Sequence, residues 1–405
     1  MNTQNHIIRQ GLATQRTALG HCRLKSCVST VRCAIILLMA AFAGLASLEN
    51  AQAFDCGSTG AYGAMNITSS TNLQLPPDGI FNCTTITVAS GATLTFSNNS
   101  LNTPVYLLAT GDVTINGTID VSALGRLGGP GGFDGGKGGS VIAGFSTGGD
   151  GAGPGGGSTA FATFGNAGYD RNGTPISGGN LYGNLLLDPL IGGSGCAGVS
   201  GTPGADGRGG GGAVLIASNT RIVVSGLVNS SGATDFYGAH AGSGGAIRLV
   251  APVVSGMGSL SVATPYVNGG TVAGRGRIRI DCTDNTSWRQ LSLSSVASRG
   301  SRMVVFSATA PVLDIIDVSG QAIPAGTNSS VQIVLPNGTS TNQTVKVQAR
   351  NFTNDVPIRV IVTPENGPSG SFDATILQSS GNPPSTNVPV IIPVGSACQI
   401  NAWTR

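Results

Sequence analysis

The residue types able to do chemistry are few and scattered. Beyond residue 53 the chain has one histidine, His240, in GAHAGSGGA, with Ser243 three positions on. A serine-hydrolase elbow needs G-x-S-x-G where a strand turns into a helix. Position 241 is Ala and no helical pattern follows, so His240 reads as a corner residue facing solvent. Glu365 is the only glutamate in the same stretch, which leaves acid–base work to Asp112, Asp120, Asp235, Asp281 and Asp284. A glycosidase holds two carboxylates ~5–10 Å apart across a bond. In the repeats described below, Asp120 aligns with Asn229 and Ser261, so no column of carboxylates is expected and the chain is not read as an enzyme.

Binding chemistry is better represented. Arg275, Arg277 and Arg279 alternate with Gly276, Ile278 and Ile280, which puts the three guanidinium groups on one face of a strand. With Arg248 one repeat earlier they are expected to form a cationic patch for a carboxylated glycan or a phosphate; the competing role is a solvent face paired with Asp281 or Asp284. Asp134 in GGFDGG, Asp150 in GGDGAG and Asp206 in GADGRGGGG are weak calcium candidates. They resemble the GGxGxD unit of calcium-binding repeats, but are not in tandem and lack its following apolar residue. No resident metal or cofactor is expected.

Five cysteines lie beyond residue 53: Cys56, Cys83, Cys196, Cys282 and Cys398. No C-x2-C spacing exists, which disfavours zinc. In an oxidising compartment Cys56 and Cys83 are the best pair, and closing that short loop would contribute about 3 kcal/mol. Cys282 with Cys398 is a second candidate pair, and Cys196 is then left over.

The compartment is read from the leader. Arg9, Arg16, Arg23, Lys25 and Arg32 form a basic region, AIILLMAAFAGLA follows, and Ala51-Gln52-Ala53 offers a small-residue cleavage site. That order is the grammar of a secretory signal peptide, and the apolar run is shorter than the ~20 residues that span a bilayer. The expected mature protein starts at Phe54, is secreted or held at the cell surface, and has no integral membrane segment. The full chain has a formal charge of +3; without residues 1–53 it has 16 basic and 17 acidic side chains. No basic footprint for nucleic acid remains.

The elements that must position these residues are strands. PVYLLATGDVTINGTIDVS (Pro104 to Ser122) places apolar residues at Val105, Leu107, Val113, Ile115, Ile119 and Val121. The same pattern returns 109 residues later at Val214, Ile216, Ile222, Val224 and Val228, with Gly226 matching Gly117. A third copy holds Ile247, Leu249, Leu260 and Val262, and GRGRIRIDC supplies a fourth strand. Period-two alternation in constant register predicts stacked turns of a right-handed parallel β-solenoid, each turn burying the column of its neighbour. Glycine at the corners is expected to supply positive φ.

Residues 124–212 are more than one-third glycine. Gly129, Gly132, Gly135 and Gly138 keep collagen's spacing of three, but the run stops at Val141. A bundle of glycine-rich strands bonded side by side is one alternative. Long loops ordered in patches, with NLYGNLLLDPLIGGSG docking on the solenoid, are the expectation. From residue 300 glycine falls and short runs such as MVVFS, VLDIIDV, VQIVLP, TVKVQARNF and IRVIVTP predict an immunoglobulin- or fibronectin-like β-sandwich covering one open end. The expected organisation is a signal peptide (1–53), a cap with first strands (54–103), a solenoid (104–299) carrying the insertion 124–212, and a sandwich (300–405).

LPPDGIFNCTTITVASGATLTF, GPGGFDGGKGG, GGAIRLVAP and GRGRIRID together resemble a widespread group of glycine-rich exported bacterial proteins. That resemblance implies a parallel β-helix similar to haemagglutinin-type adhesins and assigns no catalytic residue. It implies a structural or adhesive role toward extracellular polysaccharide or cell-surface components. A polysaccharide lyase or hydrolase on the same fold, and an ice- or mineral-binding surface, are the alternatives. No outer-membrane barrel, LPxTG signal or apolar tail is read at the C-terminus, so any attachment is expected to be non-covalent.

Overall fold

Alternating Val, Ile and Leu put every apolar side chain of a strand on one side, and such strands are stable only when that side is covered. In a computed structural model the cover comes from the next turn of the same chain. The structure describes residues 53–139, 148–154, 168–169, 175–176, 181–199, 204–234, 241–264, 273–284, 286–295, 297–327, 329–365 and 367–404. His240 and Asp235 lie outside these residues.

Three parallel sheets form, and the chain visits them in rotation. The first holds Ala64–Ile67, Thr85–Val88, Val113–Ile115, Arg221–Val224 and Val253–Ser255. The second holds Thr71–Gln74, Thr93–Ser97, Thr118–Asp120, Leu227–Asn229, Ser259–Ser261 and Ser292–Leu293. The third holds Ile80–Cys83, Val105–Ala109, Ala213–Ser218, Ala246–Val250, Arg277–Asp281 and Ala297–Gly300. Neighbours stack in parallel register, for example Leu107–Ile216–Leu249–Ile280 and Ile119–Val228–Leu260. These residues belong to one continuous buried core between the sheets. The stacking is compatible with a β-solenoid. Strands within residues 64–97 supply the first layers of this stack.

Gly91 and Gly256, at corners between the first and second sheets, take the expected positive φ, but Gly117 and Gly226 have a different reason. Neither Gly117 nor Gly226 has a positive φ. A Cβ on Gly226 would overlap the Gly117 carbonyl oxygen, and one on Gly117 would overlap the carbonyls of Ala89 and Ala92. The side chain is absent because the turn beneath occupies its space.

The expectation of loops for 124–212 is also corrected. Its described parts bond side by side. Gly129 N–H donates to Gly210 O (3.1 Å), Phe133 N–H to Gly193 O (3.0 Å), and Gly193 N–H to Gly211 O (2.7 Å). Three segments, 129–138, 192–198 and 204–212, are therefore each bonded to the other two. Glycines three apart face one neighbour throughout. Cβ atoms at Gly129, Gly132, Gly135 and Gly138 would strike the backbone around 204–212. Those at Gly204, Gly207 and Gly210 would strike 193–199, and those at Gly192, Gly195 and Gly198 would strike 131–137. Three residues per turn without internal hydrogen bonds is the habit of a polyproline-II-type helix, and lateral bonding satisfies its backbone groups.

Beyond residue 300 two antiparallel sheets share one apolar core. One has Gln321–Ala322, Val312–Val318, Asn342–Arg350 and Ser385–Ile391; the other has Gly370–Ile376, Val356–Pro364 and Cys398–Thr404. MVVFS and VQIVLP are not strands. MVVFS instead straps the third parallel sheet, with Val305 buried against its outer side and Val304 O accepting from Arg248 Nη2 at 2.7 Å. The antiparallel pair meets the glycine bundle. Lys137 Nζ donates to Glu365 O (2.6 Å), Ser371 Oγ to Asp150 Oδ2 (2.9 Å), and the Phe133 and Trp403 rings lie 5.0 Å apart.

Candidate functional site

The arginines expected to form an open cationic patch are placed together but covered. Arg248, Arg277 and Arg279 share the outward face of the third sheet, opposite Ile278 and Ile280, whereas Arg275 precedes the strand. That face is overlaid by Tyr182, Leu187 and Leu190 of the insertion and by Met303 and Val305 of the strap. Arg248 is 1% exposed and Arg279 7%, and both converge on Asp281, which is wholly buried. Arg248 Nη2 lies 3.2 Å from Asp281 Oδ2, and Arg279 Nη2 2.6 Å from Asp281 Oδ1. Arg277 Nη2 donates to Tyr182 O at 3.2 Å, and burial pushes its guanidinium pKa down. Arg275 alone of the four is exposed. The cluster is a latch: Arg302 extends it by donating its backbone N–H to Asp281 and its side chain to Asp188 of the insertion. Arg248 and Arg279 are thus engaged inside the chain by Asp281, while Arg277 is half-buried and Arg275 exposed.

The three calcium candidates are hydrogen-bond acceptors, two within the glycine-rich region and one toward an antiparallel sheet. Asp134 Oδ1 accepts from Gly128 N, Asp206 Oδ1 from Gly138 N, and Asp150 Oδ2 from Ser371 Oγ. Among the described residues no three His, Cys, Asp or Glu side chains come together as a metal site. Ser243 is wholly buried and accepts from Ser194 N–H at 2.7 Å, as part of the bundle's bonding.

The disulfide expectations are overturned. Cys56, Cys83, Cys196, Cys282 and Cys398 are all free thiols. Cys83 points into the core between the parallel sheets, whereas Cys56 packs on the outer side of the third sheet, so a sheet separates them. Cys282 belongs to the same inner core, and Cys398 packs in the antiparallel one. Burial pushes the Cys83 thiol up to about 11.

The remaining carboxylates are engaged separately. Asp112 is bonded to Arg221 Nη2 at 2.6 Å on the first sheet. Asp120 accepts from Asn229 Nδ2 at 3.2 Å on the second. Asp284 is held at about 2 by bonds from Ser287 and Thr286. Asp120 and the arginines thus stand on different sheets.

Among the described residues the outward faces of the first two sheets are half-exposed or exposed and present mostly short polar side chains in register. The second sheet stacks Asn72, Thr95, Asp120, Asn229 and Ser261; the first stacks Asn66, Thr87, Thr114, Val223 and Ser255. Successive positions are one strand spacing apart, ~4.8 Å.

A cleft of about 790 Å³ opens where the bundle, the early turns of the coil and the strand Cys398–Thr404 meet. Sequence reasoning missed it because its walls come from segments hundreds of residues apart. Gln399, Asn401 and Trp403 line one wall, because Ile400 and Ala402 turn the other way into the antiparallel core. Phe133, packed on the Trp403 ring, and Asp134 also line the cleft, and Leu101, Leu124 and Leu127 stand exposed along it. Leu124 and Leu127 exchange backbone hydrogen bonds around a turn in which Gly125 takes φ +58°, so this part of it is held by a tight turn.

Among the described residues no helix is long and apolar enough to cross a membrane. Compared with family models, with curated proteins and with solved structures, the chain has no match, so the reading of its sites rests on their geometry.

Proposed function

We propose that this chain is an exported, surface-associated adhesive protein that binds polysaccharide or other surface components without turning them over. In this reading it is a right-handed parallel β-solenoid with an immunoglobulin- or fibronectin-like sandwich, akin to the glycine-rich adhesin-like proteins it resembles. The observation that carries the reading is the pair of open faces with short hydroxyl and amide groups in register. A flat array repeating every ~4.8 Å on a rigid backbone offers many weak hydrogen bonds at once, which favours extended polyhydroxylated ligands through multivalency. The separate engagement of Asp112, Asp120, Asp281 and Asp284 favours binding over hydrolysis, which requires two carboxylates facing one bond. The threonine array that an ice- or mineral-binding surface needs is interrupted by Val223 and Leu227.

The purified chain from Phe54 onward, screened on a glycan array beside a reducing-sugar release assay, tests this. Retention of one or more polysaccharides without sugar release is expected. Release of reducing ends, or no retention of any glycan, would overturn it. Fractionation of the native host should place the protein outside the cytoplasm.

A further inference from the structure

The cleft beside Trp403 has features that the open faces lack. We infer that it is a binding site for a neutral oligosaccharide; this deepens the glycan-binding reading above and rests on it. At about 790 Å³ the cleft falls within the range of ordinary ligand sites. Its charged side chains are paired or engaged within the chain. Arg126 Nη1 lies 3.6 Å from Asp134 Oδ2, Lys137 donates to the carbonyl oxygen of Glu365, and Asp150 accepts from Ser371. A charged ligand would have to break one of these arrangements, whereas a neutral one leaves them in place.

The hydrogen-bonding groups left for a ligand are amides. Gln399 and Asn401 occupy one face of one strand, two residues and therefore ~6.8 Å apart. Among the described residues neither side chain has a hydrogen-bond partner, although Asn98, Asn99 and Asn102 on the other side of the cleft bond to backbone carbonyls. An amide both donates and accepts, as a sugar hydroxyl does, so two adjacent amides match neighbouring hydroxyls of a pyranose. Trp403 continues the row. It is 7% exposed, and its indole N–H is buried with no acceptor among the described residues. A buried donor of this kind favours any acceptor brought within reach. The exposed Leu101, Leu124 and Leu127 supply apolar surface for the C–H faces of the sugar rings.

The test uses the chain from Phe54 onward with cellopentaose, maltopentaose and a penta-galacturonate as probes, followed by calorimetry and by the indole N–H resonances. The sequence has two tryptophans, Trp288 and Trp403, so the indole region is simple to assign. A neutral pentasaccharide should bind, shift the Trp403 indole resonance and leave that of Trp288 in place. Gln399→Ala combined with Asn401→Ala should weaken it about tenfold or more, with Tm unchanged because these amides bond to nothing else among the described residues. Lys346→Ala, on the other antiparallel sheet and outside the cleft lining, should bind as the parent does. Equal binding by the amide variant, or no shift at Trp403, would overturn this site while leaving the adhesive reading standing. Preference for the galacturonate, or for an unstructured peptide, would overturn the ligand class. Failure of the parent to bind any array glycan would remove both.

Discussion

Ile119 and Val228 lie directly over one another in the second parallel sheet, both wholly buried, with more than a hundred residues of chain between them. Their contact makes the inner core one column instead of separate patches. Replacing Ile119 with Ala leaves a cavity that the rigid turns above and below cannot close. The expected loss is about 2–5 kcal/mol in a denaturant titration, and Ile119→Ala with Val228→Ala should be non-additive because the two share that cavity.

The glycine bundle leads to a second expectation. A methyl group on Gly210 would overlap the Gly193 carbonyl oxygen, whereas one on Gly111 would sit 3.1 Å from the Thr84 oxygen. Gly210→Ala should therefore destabilise the chain by about 1–3 kcal/mol or more, and Gly111→Ala by much less. Hydrogen exchange should accelerate at the Gly129, Gly193 and Gly211 amides in the Gly210 variant, and not in the Gly111 variant.

Burial separates two kinds of ion pair. Asp281→Ala would strand two covered guanidinium groups, and about 3–5 kcal/mol of stability should be lost. Asp112→Ala breaks a pair whose partners are 39% and 60% exposed, and should cost under about 1 kcal/mol. Thermal melts of the two variants at equal ionic strength measure the difference. Limited proteolysis of the Asp281 variant should also cut near residues 181–191 and 301–307, which the latch holds down.

Free thiols give a chemical readout. In denaturant without reductant all five cysteines of the chain from Phe54 onward should react with a thiol reagent, since none is bridged. In the native state Cys398, the only one not fully buried, should react first. The Cys83 thiol is raised to about 11 from an ordinary value of 9.0, so the folded state resists its ionisation. Its contribution to stability is full below pH ~9 and is lost progressively as the pH rises toward about 11. Cys83→Ala should weaken that alkaline dependence.

Much of the parallel stacking was legible in the chain. Val105, Leu107, Val113, Ile115 and Ile119 match their later counterparts residue for residue, and stacking follows because a period-two face needs cover. The glycine bundle was half legible. The spacing of Gly129, Gly132, Gly135 and Gly138 is visible, but its partners at Gly192, Gly195 and Gly198 and at Gly204, Gly207 and Gly210 mean little until the three segments are side by side. Alternation put Arg277 and Arg279 on the outward face, yet it carries no information on what lies above that face. Tyr182, Leu187 and Val305 arrive there from distant segments and bury the charges. The cysteine pairing failed for a similar reason, because nearness along the chain does not reveal that a sheet separates Cys56 from Cys83. Gln399 and Asn401 gave no signal at all, since an amide pair on a strand is ordinary until a cleft forms in front of it.

The stacking itself is tested most directly by a cross-link between Asp120→Cys and Asn229→Cys. These positions are register partners on the outward face, and their side chains already meet at 3.2 Å. Mild oxidation should join them and shift the mobility of the denatured chain, while the offset pair Asp120→Cys and Leu227→Cys should stay reduced. Equal cross-linking of the two pairs, or none in either, would contradict the register.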